Sequence, residues 1–220
     1  MIDFEPMAPS AASCPAVFLD RDGVLIANRD GDYVRTPQQV RLLPRAAAAV
    51  RRLHAAGLRT VVVSNQACIG KGLMTTQVAR RVHEEVLRRF AAAGASLWAG
   101  YLCPHAPFEY CPCRKPRPGM IERAAHRLNL DLTRSHLVGD ALSDLAAGEA
   151  AGVCSHLVLT GRGRAQAVLP EAAGVAPGRI HLDLLAAVDA ILDPRPSRPS
   201  PHGYEGRRPS ELTGSDSCTS

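Results

Sequence analysis

Short apolar runs alternating with helical segments predict an α/β chain: a three-layer α/β/α sandwich on a mainly parallel sheet. Three observations carry that expectation. Val, Leu and Ile gather in strand-length runs at 16–20, 58–63, 97–102, 135–139 and 156–160. Between most of these runs stand segments with the start and stop residues of helices. The first four runs lead directly into polar residues capable of chemistry, and in a parallel sheet those ends share one edge.

The elements follow in order. Residues 1–14 read as a flexible tail. AVFLD (16–20) is a buried strand ending in acid. Residues 21–43 hold Gly23 and Gly31 without sustained periodicity and read as a long loop. Pro44 opens a helix that Gly57 closes, the expected asymmetry of proline inside the start and glycine past the end. LRTVVV (58–63) is the second strand. Thr75 or Thr76 caps a helix running to about Ala93, with Gly94 as its stop. A third strand precedes a cysteine-rich loop, and a helix follows from Pro118 to about Asn129. Strand 135–139, a short helix stopped by Gly152, strand 156–160 and a helix capped by Asp183 complete the core. No insertion is long enough for a large cap domain. The domain therefore spans 15–192, and the Pro-, Ser- and Arg-rich stretch 193–220 reads as a disordered tail.

Bulk properties narrow the class. A chain of 220 residues can bury one good core. Aromatic content is 4%, so aliphatic side chains must fill it. No apolar run approaches the ~18 residues that suggest a membrane span. The start MIDFEPMAPS lacks the cationic and apolar regions of a signal peptide, so a cytoplasmic protein is expected, and a monomer is the separate expectation for its assembly. Seven cysteines are an odd number for a disulfide framework. The net charge of +5 suits an anionic partner, or simply reflects an arginine-rich solvated surface. Only Lys71 and Lys115 are lysines.

The strand ends carry the chemistry. In Asp20-Arg21-Asp22-Gly23 two carboxylates two residues apart can face one site if the chain turns at Gly23. The same lettering in Asn28-Arg29-Asp30-Gly31 shows how readily a solvated turn produces it. Gly139-Asp140 places another acid at a strand end, with Asp144 four residues later. Converging acids are costly unless a divalent cation lies between them, and an oxygen-only donor set with open positions suits Mg2+. Ser64-Asn65-Gln66 offers hydroxyl and amide donors for phosphate, and Lys115 a compact cation.

Asp20-x-Asp22-Gly23, Ser64-Asn65-Gln66, Arg114-Lys115-Pro116 and Gly139-Asp140 together resemble the four motifs of the haloacid-dehalogenase superfamily of phosphatases. The spelling LDRDG, SNQ, CRKPRPGM and VGD is similar to the branch holding the heptose bisphosphate phosphatases and the histidinol-phosphatase domain, over about residues 16–160. The resemblance implies a Rossmann-like fold and a Mg2+-dependent phosphoric monoester hydrolase. Asp20 would be the nucleophile, forming an aspartyl-phosphate, and Asp22 the general acid and base. Asp20, the main-chain carbonyl of Asp22, and Asp140 would hold Mg2+. Ser64 and Lys115 would neutralise the transferring oxygens, and Asp144 would stand behind the ligands. Asn28, Arg29, Asp30, Gly31, Tyr33, Asn65, Gln66 and Arg114 are the candidates for substrate contact.

Cys103, His105, Cys111 and Cys113 supply four ligands in eleven residues, the number that a closed tetrahedral Zn2+ site needs. A Cys-x-Cys disulfide would leave Cys103 and His105 unexplained. A structural Zn2+ here would anchor Arg114 and Lys115. Three substrates compete: a heptose 1,7-bisphosphate losing its 7-phosphate, histidinol phosphate, and a polynucleotide 3′-phosphate. A zinc-dependent binding module is the reading from outside enzymology. Interleaved aromatics for base stacking are absent, which argues against nucleic acid. A small sugar bisphosphate is the preferred partner.

Overall fold

The structure is a computed structural model and describes residues 1–5, 12–29 and 31–193. In chain order the elements are β1 (Ile2–Phe4), β2 (Ala16–Leu19), α1 (Ala46–Ala55), β3 (Arg59–Asn65), α2 (Ala67–Gly70), α3 (Thr76–Ala92) and β4 (Ala99–Cys103). Then come α4 (Gly119–Leu128), β5 (His136–Gly139), α5 (Leu142–Ala150), β6 (Cys154–Val158), α6 (Gly163–Ala167), β7 (Ile180–His181) and α7 (Leu184–Leu192). The strands form one sheet in the order β1-β4-β3-β2-β5-β6-β7. All pairings are parallel except β1 with β4.

Strand periodicity separates two cores. In β2, Val17 and Leu19 face one side with Val62, Val138 and Val158, against Val50 and Leu53 of α1, Val82, Val86 and Phe90 of α3, and Leu184 and Val188 of α7. Ala16 and Phe18 face the other side with Val61, Val63, Tyr101 and Leu137, against Met120, Ile121, Ala124 and Leu128 of α4 and Ala147 of α5. Burial on both faces explains why these strands read as unbroken apolar runs. Most of the sequence-predicted helix ends are present, but Pro44 stands before α1 rather than in its first turn, because the N-cap is Arg45 at φ 63°. Thr75 accepts a hydrogen bond from the Val78 amide, Asp183 accepts one from the Ala186 amide, and Gly94 has φ 68°.

The N-terminal tail expected over 1–14 is corrected at its start: Ile2–Phe4 is a strand. Its partners are distant in sequence, which hides it from a local reading. Ile2 pairs with Leu102, Asp3 binds Arg123, and Glu5 binds Arg127 and the Tyr101 hydroxyl. The elements α2, α6 and β7 were also not foreseen, being too short for periodicity to register. The tail expected from 193 onward lies outside the described residues, Asp193 apart.

Candidate active site

Four parallel strands deliver their carboxyl ends to one edge. Asp20 follows β2, Ser64 and Asn65 end β3, Cys103 ends β4, and Asp140 follows β5. Tight backbone approach brings them together. Gly23 has φ 95°, and a Cβ there would lie 2.1 Å from Asp140 Oδ2. A Cβ on Gly161 would lie 2.3 Å from the same oxygen. The first glycine gives the turn after β2, and both leave space that the Asp140 carboxylate fills.

Asp20, Asp140 and Asp144 are almost wholly buried, and their carboxylate oxygens lie within 4.8 Å of one another. Lys115 joins two of them. Its Nζ is 2.7 Å from Asp20 Oδ1 and 2.6 Å from Asp144 Oδ1, and it donates to the Val63 carbonyl at 2.8 Å. Burial pushes the Lys115 ammonium down, but Asp144 and Asp20 more than offset this and hold it above the usual lysine range. Burial pushes the Asp20 carboxyl up to about 7, with Lys115 opposing and Asp144, Asp140 and Asp22 reinforcing the rise. Three carboxylates thus share two cations, Lys115 between Asp20 and Asp144 and the Arg162 guanidinium at Asp140. An oxygen-only set of this kind fits a hard divalent cation.

The neighbouring polar groups hold one another in place. Gln66 Nε2 donates to Asp22 Oδ2 and to Ser64 Oγ, both at 2.9 Å. Buried Arg21 binds the same Asp22 oxygen, Oδ2, at 3.0 Å. Both ends of the Asn65 amide engage the Lys115 backbone at 3.0 Å, so Asn65 clamps the lysine's loop. Asp144 accepts the Ala141 amide at 3.0 Å through Oδ2, so both of its oxygens are engaged. Asp140 accepts from Asn28 Nδ2 at 3.2 Å, the Arg162 amide at 2.8 Å and the Arg162 guanidinium at 3.1 Å.

Of these groups Asp20, Asp22, Ser64, Asn65, Gln66, Lys115 and Asp144 line a cleft of about 870 Å³, while Asp140 and Arg21 are fully buried. Asn28, Arg29, Gly31, Tyr33, Asn65, Gln66 and Arg114 line it as the sequence suggested; Asp30 lies outside the described residues. Lys71 and Arg162 line it too. Lys71 donates to the Tyr33 hydroxyl at 3.1 Å. Sequence reasoning missed Arg162, which lies four residues past the end of β6 rather than directly at a strand end.

The cysteine loop leads into Arg114 and Lys115, which line the cleft. The three sulfurs of Cys103, Cys111 and Cys113 stand 3.3–3.5 Å apart, and His105 Nδ1 is 3.6 Å from Cys103 Sγ and 3.3 Å from Cys113 Sγ. A tetrahedral Zn2+ with ~2.3 Å sulfur and ~2.0 Å nitrogen bonds has edges of about 3.5–3.8 Å. The loop is nearly that shape, and the sulfur separations are far beyond a disulfide bond of ~2.05 Å.

The family model described as haloacid dehalogenase-like hydrolase matches residues 24–149, and a second hydrolase-like model matches 112–187. The chain belongs to the haloacid dehalogenase-like hydrolase family. Among its relatives, the D-glycero-beta-D-manno-heptose-1,7-bisphosphate 7-phosphatase of Bordetella bronchiseptica is 38% identical over 180 residues, 80% of this chain and 97% of that one. The D-glycero-alpha-D-manno-heptose-1,7-bisphosphate 7-phosphatase of Mycobacterium bovis is 37% identical over 158 residues, 66% of this chain and 79% of that one. The crystal structure of the B. bronchiseptica D,D-heptose 1,7-bisphosphate phosphatase, complexed with magnesium and phosphate, superposes with a TM-score of 0.74. It is 36% identical over 81% of this chain and 98% of that one. This hydrolase thus shares both sequence and fold with heptose bisphosphate phosphatases.

Proposed function

We propose that the hydrolase removes the 7-phosphate from D-glycero-D-manno-heptose 1,7-bisphosphate through an aspartyl-phosphate. One observation carries the chemistry: a buried lysine bridging two carboxylates at the floor of a cleft, at the site where the motif residues meet. Similarity to the two 7-phosphatases over most of their length supports the substrate.

Asp20, the main-chain carbonyl of Asp22, and Asp140 would hold Mg2+, which supplies charge neutralisation for the phosphoryl oxygens. Asp20 Oδ attacks phosphorus. Lys115 and Ser64 offset negative charge growing on the transferring oxygens. Asp22, held by Gln66 and Arg21, gives a proton to the departing sugar oxygen and then takes one from the water that hydrolyses Asp20 phosphate. Asp144 and Asn65 fix Lys115 from its head and its backbone. A structural Zn2+ in the Cys103–Cys113 loop would stiffen the segment that carries Arg114 and Lys115. The rim cations Arg29, Lys71 and Arg114 suit a substrate with a second phosphate. Tyr33 is the one aromatic among the described lining residues, which offers no stacking ladder for a polynucleotide. Monomeric action in the cytoplasm belongs to the same proposal. Among the described residues no helix is long and apolar enough to cross a membrane.

Parallel phosphate-release assays test the substrate. Both anomers of the heptose bisphosphate, histidinol phosphate and a 3′-phosphorylated oligonucleotide would be compared with Mg2+ and with a chelator. The heptose should lead in kcat/KM by ~100-fold or more, within the range reached when a polar site meets the wrong partner. A higher value for either competitor rejects the assignment.

A further inference from the structure

A second cluster of metal-binding side chains lies away from the cleft. His136 opens β5, and Cys154 and His156 lie in β6, where His136 and Cys154 are register partners. From His136 to Asp140 the chain advances four residues, about 13 Å at ~3.3 Å per residue. His136 is two residues from Val138, and His156 two from Val158, so all three side chains take the face of those valines, on which α7 also packs.

Two donors converge on one nitrogen. His136 Nδ1 is 3.1 Å and Cys154 Sγ is 3.6 Å from His156 Nε2. Ligand atoms of all three residues lie within 4.8 Å of one another. A hydrogen-bonded imidazole chain would account for the first distance. It does not require the sulfur, because a ring nitrogen directs its lone pair or its N–H along one line. A tetrahedral cation with ~2.0 Å nitrogen and ~2.3 Å sulfur bonds accounts for both, with edges of about 3.3 Å and 3.5 Å. The other side of His156 is also arranged: Nδ1 is 3.0 Å from His181 Nε2 on β7. Donation from His156 Nδ1–H to His181 would leave Nε2 bare for a metal, the outer support typical of ligating histidines.

We propose that His136, Cys154 and His156 form a metal site for a borderline divalent transition cation, Zn2+ in the first instance, oriented by His181. The nitrogen and thiolate donors exclude Mg2+ by chemical softness. His136 and Cys154 are only half-buried, so water can complete the coordination. Exposed Arg179 acts electrostatically on His136 and His156 and opposes the cation; its side chain can swing into solvent. The bound ion would join β5 to β6 without entering the chemistry at Asp20.

Crystals of the full chain soaked in zinc chloride, with data at the zinc absorption edge, test this directly. An anomalous peak within bonding distance of His136, Cys154 and His156 is expected, in addition to any at Cys103. A peak at the Cys103 loop alone overturns the proposal. In solution, Cys154→Ser with His136→Ala should lose one zinc equivalent by elemental analysis and keep phosphate-release activity. An unchanged zinc content in that folded, active variant also overturns it.

Discussion

Replacing Lys115 with methionine should reveal how the floor of the site is held together. At 2.6–2.7 Å, each carboxylate contact is worth ~6 kcal/mol at an effective dielectric of about 20, before desolvation. Burying three ions takes back most of that sum, so the net cost of deleting one partner is about 3–5 kcal/mol. The loss should be smaller when Asp144 is neutralised as well. Asp144→Asn with Lys115→Met should recover ~1–3 kcal/mol relative to the sum of the single changes. The pH dependence has a definite sign. Without the ammonium, which opposes the rise, the folded-state pKa of Asp20 climbs further above the unfolded value of about 3.9, so the deficit grows as pH rises above ~4 and shrinks toward acid. Denaturant melts in chelator from pH 4 to 8 measure this. In the presence of Mg2+, kcat should fall by ~100- to 1,000-fold, as for loss of one transition-state donor. A single variant with wild-type stability at pH 8, or turnover within about twofold of wild type, would refute the reasoning.

Other perturbations probe separate parts of the molecule. Gly23→Ala places a Cβ against the Asp140 carboxylate at a φ of 95°; Mg2+ affinity and kcat should both fall by ~10-fold or more, and an unchanged Mg2+ titration would contradict the packing described. Cys113→Ser should remove zinc from the loop, lower the melting temperature by roughly 5 °C or more, and reduce activity through Lys115; unchanged zinc content and stability would show that Cys113 does not hold a structural ion. Burial pushes the His83 imidazole down to about 3, so the unfolded chain alone takes up this proton as pH falls below about 6.5. Stability should therefore decline by up to ~1.4 kcal/mol per pH unit from this residue as pH falls from about 6.5 toward 3. His83→Leu should flatten that slope in urea melts, and an identical slope would show that the burial is not felt.

What was legible in the sequence follows physical range. Strands β2 to β6 are buried on both faces, so their apolar runs show locally. Their helices carry punctuation such as Thr75, Gly94 and Asp183. The carboxylate cluster was legible because parallel strands force their ends onto one edge, and the motif residues occupy those ends. Orientation was not. Nothing local says that Asn65 turns to the Lys115 backbone, or that Asp144 meets the lysine's ammonium. Those pairings join residues about 30 to 50 positions apart. Strand β1 escaped notice for the same reason, since its ion pairs lie on α4. Arg162 was missed because no motif follows the apolar run that ends β6 at Val158, two residues short of the expected Thr160, to draw attention to the loop beyond.

The most direct test of the central claim is to trap the covalent intermediate. Enzyme turning over heptose 1,7-bisphosphate with Mg2+ would be quenched in acid, reduced with borohydride and digested for mass spectrometry. An aspartyl-phosphate at position 20 is reduced to homoserine, so that conversion should occur at Asp20 and require both substrate and Mg2+. Phosphate release with Asp20 unmodified, or homoserine at another aspartate, would contradict the account.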